Sequence, residues 1–161
     1  MVAQENRAGR KTPTREELRV WRSYMETTGR LTTLLGSRLQ STSSISVADY
    51  EVMLALSEAP EARFRSSELA SQMGWERSRL SHHLGRMEKR GLIQRVACAD
   101  DSRGSEILLT PEGADAFRRC SAPHLRDIRE LFVDALTPEQ LAGVAKTVDA
   151  LSAHLDRIES K

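Results

Sequence analysis

No run of about eighteen apolar residues occurs anywhere in the chain, so the sequence holds no candidate for a membrane-spanning helix. The first seventeen residues, MVAQENRAGRKTPTREE, lack the apolar stretch that a secretion signal needs. Cysteine is scarce: Cys98 and Cys120 are the two present, far apart in sequence, which offers no disulfide framework and fits a reducing cytoplasm. A peroxide-sensing role would need a thiol in an electropositive setting, and both are read as passive. Catalytic signatures are missing as well. The four histidines, His82, His83, His124 and His154, form no HExxH pair, and there is neither a nucleophile-elbow serine nor a phosphate-cradling glycine loop. An enzyme is therefore not expected, nor a cofactor. His82 and His83 are adjacent and on a helix point about 100° apart, which suits them poorly to one shared metal ion.

Excess charge is also lacking, since 24 basic against 23 acidic residues leave a net charge of +1. A nonspecific polycation is excluded, but the distribution is uneven. Residues 63–103 hold nine basic and five acidic side chains, and the remainder fifteen and eighteen. A positive middle between acidic flanks fits a nucleic-acid-binding lobe joined to an assembly lobe.

That middle carries the most structured pattern in the chain, SSELASQMGWERSRLSHHLGRMEKRGLIQRVACADDSRGSEILLT from Ser66 to Thr110. A short helix is expected from Ser66 to Met73, with Ser66 or Ser67 as its cap and Gly74 as its stop. A second helix follows over Glu76–Arg90, closed by Gly91. Two β-like runs come next, Leu92–Ala97 and Glu106–Thr110, with a polar loop between them, and Arg63-Phe64-Arg65 can add a third strand. Helix, tight turn, helix and charged-tipped hairpin make the plan of a winged helix-turn-helix. On the second helix Leu80, Leu84 and Met87 mark an apolar stripe, with His83 close beside it as a buried or half-buried, hydrogen-bonded residue. Arg77, Ser78, Arg79, Ser81, His82, Arg86 and Arg90 share the polar side; arginine and serine can reach base edges or phosphates. The backbone amides at Ser66 and Ser67 are placed to meet a phosphate.

The chain resembles the MarR (multiple antibiotic resistance regulator) family of bacterial transcription factors. The resemblance rests on Ser67-Glu68-Leu69-Ala70, on Arg79-Leu80-Ser81, on Met87-Glu88-Lys89-Arg90-Gly91-Leu92-Ile93 with Arg95, and on Asp101 and Arg103 before Leu109-Thr110. It implies a homodimer that binds a pseudo-palindromic operator in double-stranded DNA, commonly as a repressor, and often releases it on binding a small molecule. It also implies that Asp101 braces the hairpin tip while Ser102 and Arg103 reach the DNA, Arg103 in the minor groove. Arg95 joins the DNA-binding set on the same ground. Two departures stand out. Trp75-Glu76 opens the recognition helix where the family often has a small polar residue, and Glu76 would repel phosphate. His82 and His83 stand where arginine and an apolar residue are more usual.

The remainder reads as helices around this lobe. Residues 1–13 are polar and expected to be disordered. Thr14 with Glu17 starts a long helix to about Gln40, whose stripe includes Leu18, Trp21, Met25, Leu31, Leu35 and Leu39. Ser46 with Asp49 starts the next, ending before Pro60. Thr110-Pro111 opens a helix lined by Phe117, Cys120, Leu125, Ile128, Leu131 and Phe132, which Pro123 should kink or split. Thr137-Pro138-Glu139-Gln140 opens the last, with Leu141, Val144, Val148, Leu151, Leu155 and Ile158 in a coiled-coil-like seam. These stripes exceed what one small lobe can cover, so a second copy is the expected partner. The fold class is mainly α with a small β-wing: a winged helix-turn-helix over 46–110, and dimerisation helices over 14–45 and 111–161. For a phenolic or antibiotic-like effector, Trp21, Tyr24, Met25 and His124 are the candidate lining. The alternative function is a winged-helix protein-interaction module without DNA binding.

Overall fold

The computed structural model describes residues 10–97 and 105–160. The hairpin tip with Cys98, Asp101, Ser102, Arg103 and Gly104, and most of the N-terminal tail, lie outside the described residues.

Two compact units divide at Leu34 and Leu35, within the first helix, α1 (Arg15–Thr42). In the first unit, Thr14 and Glu17 close a reciprocal cap: the Thr14 amide donates to Glu17 Oε2 (2.7 Å) and the Glu17 amide to Thr14 Oγ1 (3.2 Å). Val20, Trp21, Tyr24 and Met25 are exposed on this segment.

The second unit holds the core. The end of α1 buries Leu39 there, and Arg38 donates to Asp127 (3.0 Å) and to both oxygens of Glu130 (2.8 and 2.9 Å). Helix α2 (Val47–Glu58) starts at a Ser46–Asp49 capping box. A single 3-10 turn, Pro60–Ala62, leads into strand β1 (Arg63–Arg65). Helices α3 (Ser66–Gln72) and α4 (Arg77–Lys89) follow, then strands β2 (Ile93–Ala97) and β3 (Ser105–Leu109). The sheet is antiparallel in the order β1-β3-β2, with Phe64 opposite Ile107 and Arg95 opposite Ile107 on its other side. Val52, Met53 and Leu56 of α2, Leu69 of α3, Leu80, Leu84 and Met87 of α4, and Ile93 and Ile107 of the sheet form one buried cluster. The winged helix-turn-helix is thus present, third strand included.

Two local expectations are corrected. Neither Ser66 nor Ser67 caps α3; Arg65 holds the cap position with no side-chain hydrogen bond, and both serines sit in the first turn. The pairing of β1 with β3 fixes Arg65 in extended backbone, so the helix starts at Ser66, one residue earlier than a Ser66 cap would require. Pro123 does not break its helix either. Helix α5 (Pro111–Ile128) runs through it, and the irregularity falls later, in a π turn at Arg129–Val133. Tyr50 explains the tolerance, because its ring packs on Phe117 (5.2 Å) and His124 (4.6 Å), gripping α5 on both sides of the proline. His124 takes the inward place that the apolar pattern gives to Leu125, which is 59% exposed.

The start of α5 is set by Thr110, whose hydroxyl donates to Gly91 O (2.6 Å) and accepts from the Gly113 amide (3.0 Å). Here the helix lies so close to Leu92 that a Cβ on Gly113 would stand 1.9 Å from the Leu92 carbonyl oxygen. The last helix, α6 (Pro138–Glu159), has a Thr137–Gln140 capping box and no buried residue; Val148, Leu151, Leu155 and Ile158 are all exposed. Among the described residues no helix is long and apolar enough to cross a membrane.

Candidate nucleic-acid interface

The turn between α3 and α4 is made by Gly74 at φ +61, followed by Trp75, whose amide returns to Ala70 O (2.9 Å). Only glycine enters that left-handed region without steric strain. Glu76 holds the cap position of α4 without a side-chain hydrogen bond. Leu80, Leu84 and Met87 are fully buried and His83 is 6% exposed, so the inward face of α4 has one fixed rotational setting. Arg77, Ser78, Arg79, Ser81, His82 and Arg86 are consequently presented together on the outside.

Several of these side chains are pre-set. The Arg79 guanidinium lies 4.3 Å above the Trp75 ring, a contact worth about 0.5–1 kcal/mol at an exposed site. Trp75 meets His83 edge-on at 5.5 Å. The aromatic residue that departs from the family pattern thus supports an arginine of the outer face. Arg86 places Nη1 2.8 Å from His82 Nδ1 and Nη2 2.9 Å from His83 Nδ1.

Two residues expected to contact DNA make bonds within the chain. Arg90 donates to Asp49 Oδ2 (2.8 Å) and to Ser44 O (2.6 Å), which anchors the end of α4 to the start of α2. Arg95 reaches from β2 to Ser81 O (2.7 Å), while its amide donates to Glu88 Oε1 (3.1 Å). Ser67 is exposed and Ser66 half-buried at the start of α3. Asp101, Ser102 and Arg103 lie outside the described residues.

The residue that sequence reasoning recognised only as a cap is Asp49. It is 2% exposed, receives the Ser46 amide (2.9 Å) and Arg90, and lies 3.2 Å from His83 Nε2 at an oblique approach. Burial pushes its carboxyl up, but His83, Arg90 and Ser46 more than offset this and hold it well below the usual carboxylate range. An ionised Asp49 therefore stabilises the lobe above the unfolded carboxyl value of about 4, and the contribution is lost as pH falls through the lower folded value. The gap in thermal midpoint between the parent and Asp49→Asn is expected to be wide at pH 6 and to narrow by pH 3. A gap of equal width at both values would contradict it.

The candidate effector residues lie apart in kind. Trp21, Tyr24 and Met25 are about half exposed (57%, 49% and 51%), whereas His124 is buried against Tyr50. Burial lowers the His124 pKa, and its Nδ1 has no partner among the described residues. Cys120 is buried and donates to Phe117 O (3.2 Å); burial pushes its thiol up, away from the reactive thiolate. Among the described residues no cluster of three histidine, cysteine or acidic side chains could hold a metal ion.

Comparison with known proteins places this geometry. Residues 45–105 match the family model described as MarR family. The fold superposes with a TM-score of 0.85 on AbsC, a MarR family transcriptional regulator from Streptomyces coelicolor, at 34% identity over 91% of this chain and 99% of that one. It superposes equally well, at 0.85, on Sco3205, a MarR family transcriptional regulator from the same organism in complex with DNA, at 36% identity over 91% and 92%. A mutant of MarR from E. coli complexed with operator DNA shares the fold at a TM-score of 0.76 and 22% identity, over 84% of this chain and 95% of that one.

Proposed function

Because the chain belongs to the MarR family of transcriptional regulators, we propose that it represses transcription by binding a pseudo-palindromic operator as a homodimer. The observation that carries this reading is the outer face of α4. Arg77, Ser78, Arg79, Ser81 and His82 are exposed together behind a helix-turn-helix turn, on a helix fixed by four inward side chains. Such a face suits a major groove, and one relative crystallised with DNA is 36% identical to this chain. The start of α3 with Ser66 and Ser67 supplies backbone contacts to phosphate, and Arg103 of the hairpin tip, braced by Asp101 and accompanied by Ser102, enters the flanking minor groove.

Support for the dimer comes from the exposed apolar side chains of α6 and α1. A second copy that covers them would set two α4 helices about 34–36 Å apart, one turn of DNA. Arg90 and Arg95 serve the interface by holding α4 in place. A phenolic or antibiotic-like effector that binds the free dimer better than the DNA-bound one lowers operator affinity by the same factor; Trp21, Tyr24, Met25 and His124 are its candidate contacts. The regulator acts in the cytoplasm, on the nucleoid.

Footprinting on the DNA upstream of the protein's own gene tests the reading. A protected inverted repeat is expected, with affinity that falls steeply as salt rises, and light scattering at micromolar concentration should give twice the chain mass. Absence of salt-dependent duplex binding would favour the interaction module that binds no DNA, and a monomer would sink the dimer.

A further inference from the structure

We propose that Arg86 is a positioning residue rather than a DNA contact, and that it fixes His82 as an outward Nε2–H donor which selects a purine N7 in the operator. The inference rests on the reading that α4 enters the major groove.

A guanidinium has only donors. Arg86 points one nitrogen at His82 Nδ1 (2.8 Å) and another at His83 Nδ1 (2.9 Å), so both ring nitrogens must offer a lone pair. In a neutral imidazole the proton then sits on Nε2. The far end is compatible with this. His83 Nε2 lies 3.2 Å from Asp49 Oδ1 at an approach too oblique for a hydrogen bond, and a carboxylate there favours the ring's N–H edge over its lone pair. Asp49 is itself held by Arg90 and Ser46. Four groups are thus neighbours in a row, the buried carboxylate, His83, Arg86 and His82, and Arg86, a donor at both of its contacts, sets the sense of each ring.

The outcome appears at the exposed end. His82 is exposed on α4 with its Nδ1 committed, which leaves Nε2–H as the atom it can offer. Along the major groove every purine presents the N7 acceptor, guanine O6 and thymine O4 also accept, and cytosine presents the N4 amino donor. A fixed donor rejects the cytosine edge, whereas an imidazole free to exchange tautomers could take donor or acceptor. Removal of N7 alone tells a purine N7 contact from one to O6 or O4.

The test uses the full chain. Ring-nitrogen spectra of the 15N-labelled protein should show His82 and His83 in the Nε2–H tautomer, and Arg86→Ala should leave His82 as a mixture. A duplex recovered by the parent protein from a randomised pool is then substituted, one purine at a time, with the 7-deaza base. One position per half-site should weaken parent binding about tenfold, as expected for loss of one base contact, and should not weaken His82→Ala. Arg86→Ala should lose preference at that position while its salt dependence stays unchanged, since no phosphate contact is removed. An Nδ1–H tautomer at His82 in the parent overturns the proposal. So does a uniform loss across sequences with a shallower salt slope in Arg86→Ala, which would make Arg86 a phosphate contact. If the parent recovers no preferred duplex, the major-groove reading fails and the purine preference with it, while the ring spectra alone decide whether Arg86 positions the histidines.

Discussion

Replacing Arg79 and His82 together by alanine is expected to erase preference for any particular duplex while leaving weak, salt-sensitive binding to all of them. Both side chains are exposed on α4, and neither belongs to the buried stripe of Leu80, Leu84 and Met87. A good base contact is worth about 1–3 kcal/mol of discrimination, and the proposed homodimer would make each contact twice, so the loss for the preferred duplex should reach at least about a hundredfold. Phosphate contacts at the start of α3 and along the hairpin would survive and carry the residual affinity. The thermal midpoint should move little, since the chief folded-state loss is the stacking of Arg79 on Trp75. Anisotropy titrations of the preferred and a scrambled duplex at one salt concentration decide it. Intact selectivity in the double variant would place base reading elsewhere than on α4.

The second large effect concerns folding. Gly113→Ala should lower the thermal midpoint by several degrees or prevent folding outright. Inside a helix the exchange of glycine for alanine ordinarily helps, by about 0.5–1 kcal/mol. At Gly113 the added methyl would stand 1.9 Å from the Leu92 oxygen and 2.9 Å from its carbonyl carbon. Those are backbone atoms and cannot rotate away. The only relief is to lift the start of α5 off the junction between α4 and β2, which breaks the Thr110 bonds to Gly91 and to the Gly113 amide. Overpacking of this kind costs about 1–3 kcal/mol and occasionally more, and each kcal/mol shifts the midpoint of a chain this size by about 2–4 °C. Gly143→Ala is the matched control. Nothing lies within 4 Å of a Cβ there, so the same exchange should be neutral or stabilising. Equal midpoints for the two variants would refute the close approach.

Much of the architecture is written locally and could be read locally. The caps at Thr14, Ser46 and Thr137 each use a partner three residues ahead, and all three close as their spacing implies. Gly74 and Gly91 both adopt the positive φ that ends a helix. The stripe on α4 is legible because helical periodicity places Leu80, Leu84 and Met87 on one side whatever they touch. What stayed hidden depends on partners distant in sequence. Nothing near Arg90 signals that it serves Asp49, forty-one positions away. Pro123 reads as a breaker until Tyr50 is seen to hold both of its flanks. Gly113 looks like a weak helix residue, and only the neighbouring Leu92 carbonyl shows why a side chain is excluded. In the interface, the residue types on the outer face were legible, but their orientations were not. Arg79 on Trp75 and Arg86 between two histidines are matters of rotamer, which sequence spacing does not set.

The Arg90 anchor ends on the main-chain oxygen of Ser44, not on its side chain. Every residue type offers that oxygen, so exchanges at position 44 should pass unnoticed. An inserted or deleted residue in the short link ahead of α2 would instead move the acceptor itself and leave the guanidinium without its second hold. The link is therefore constrained in length, while position 44 within it is free in composition.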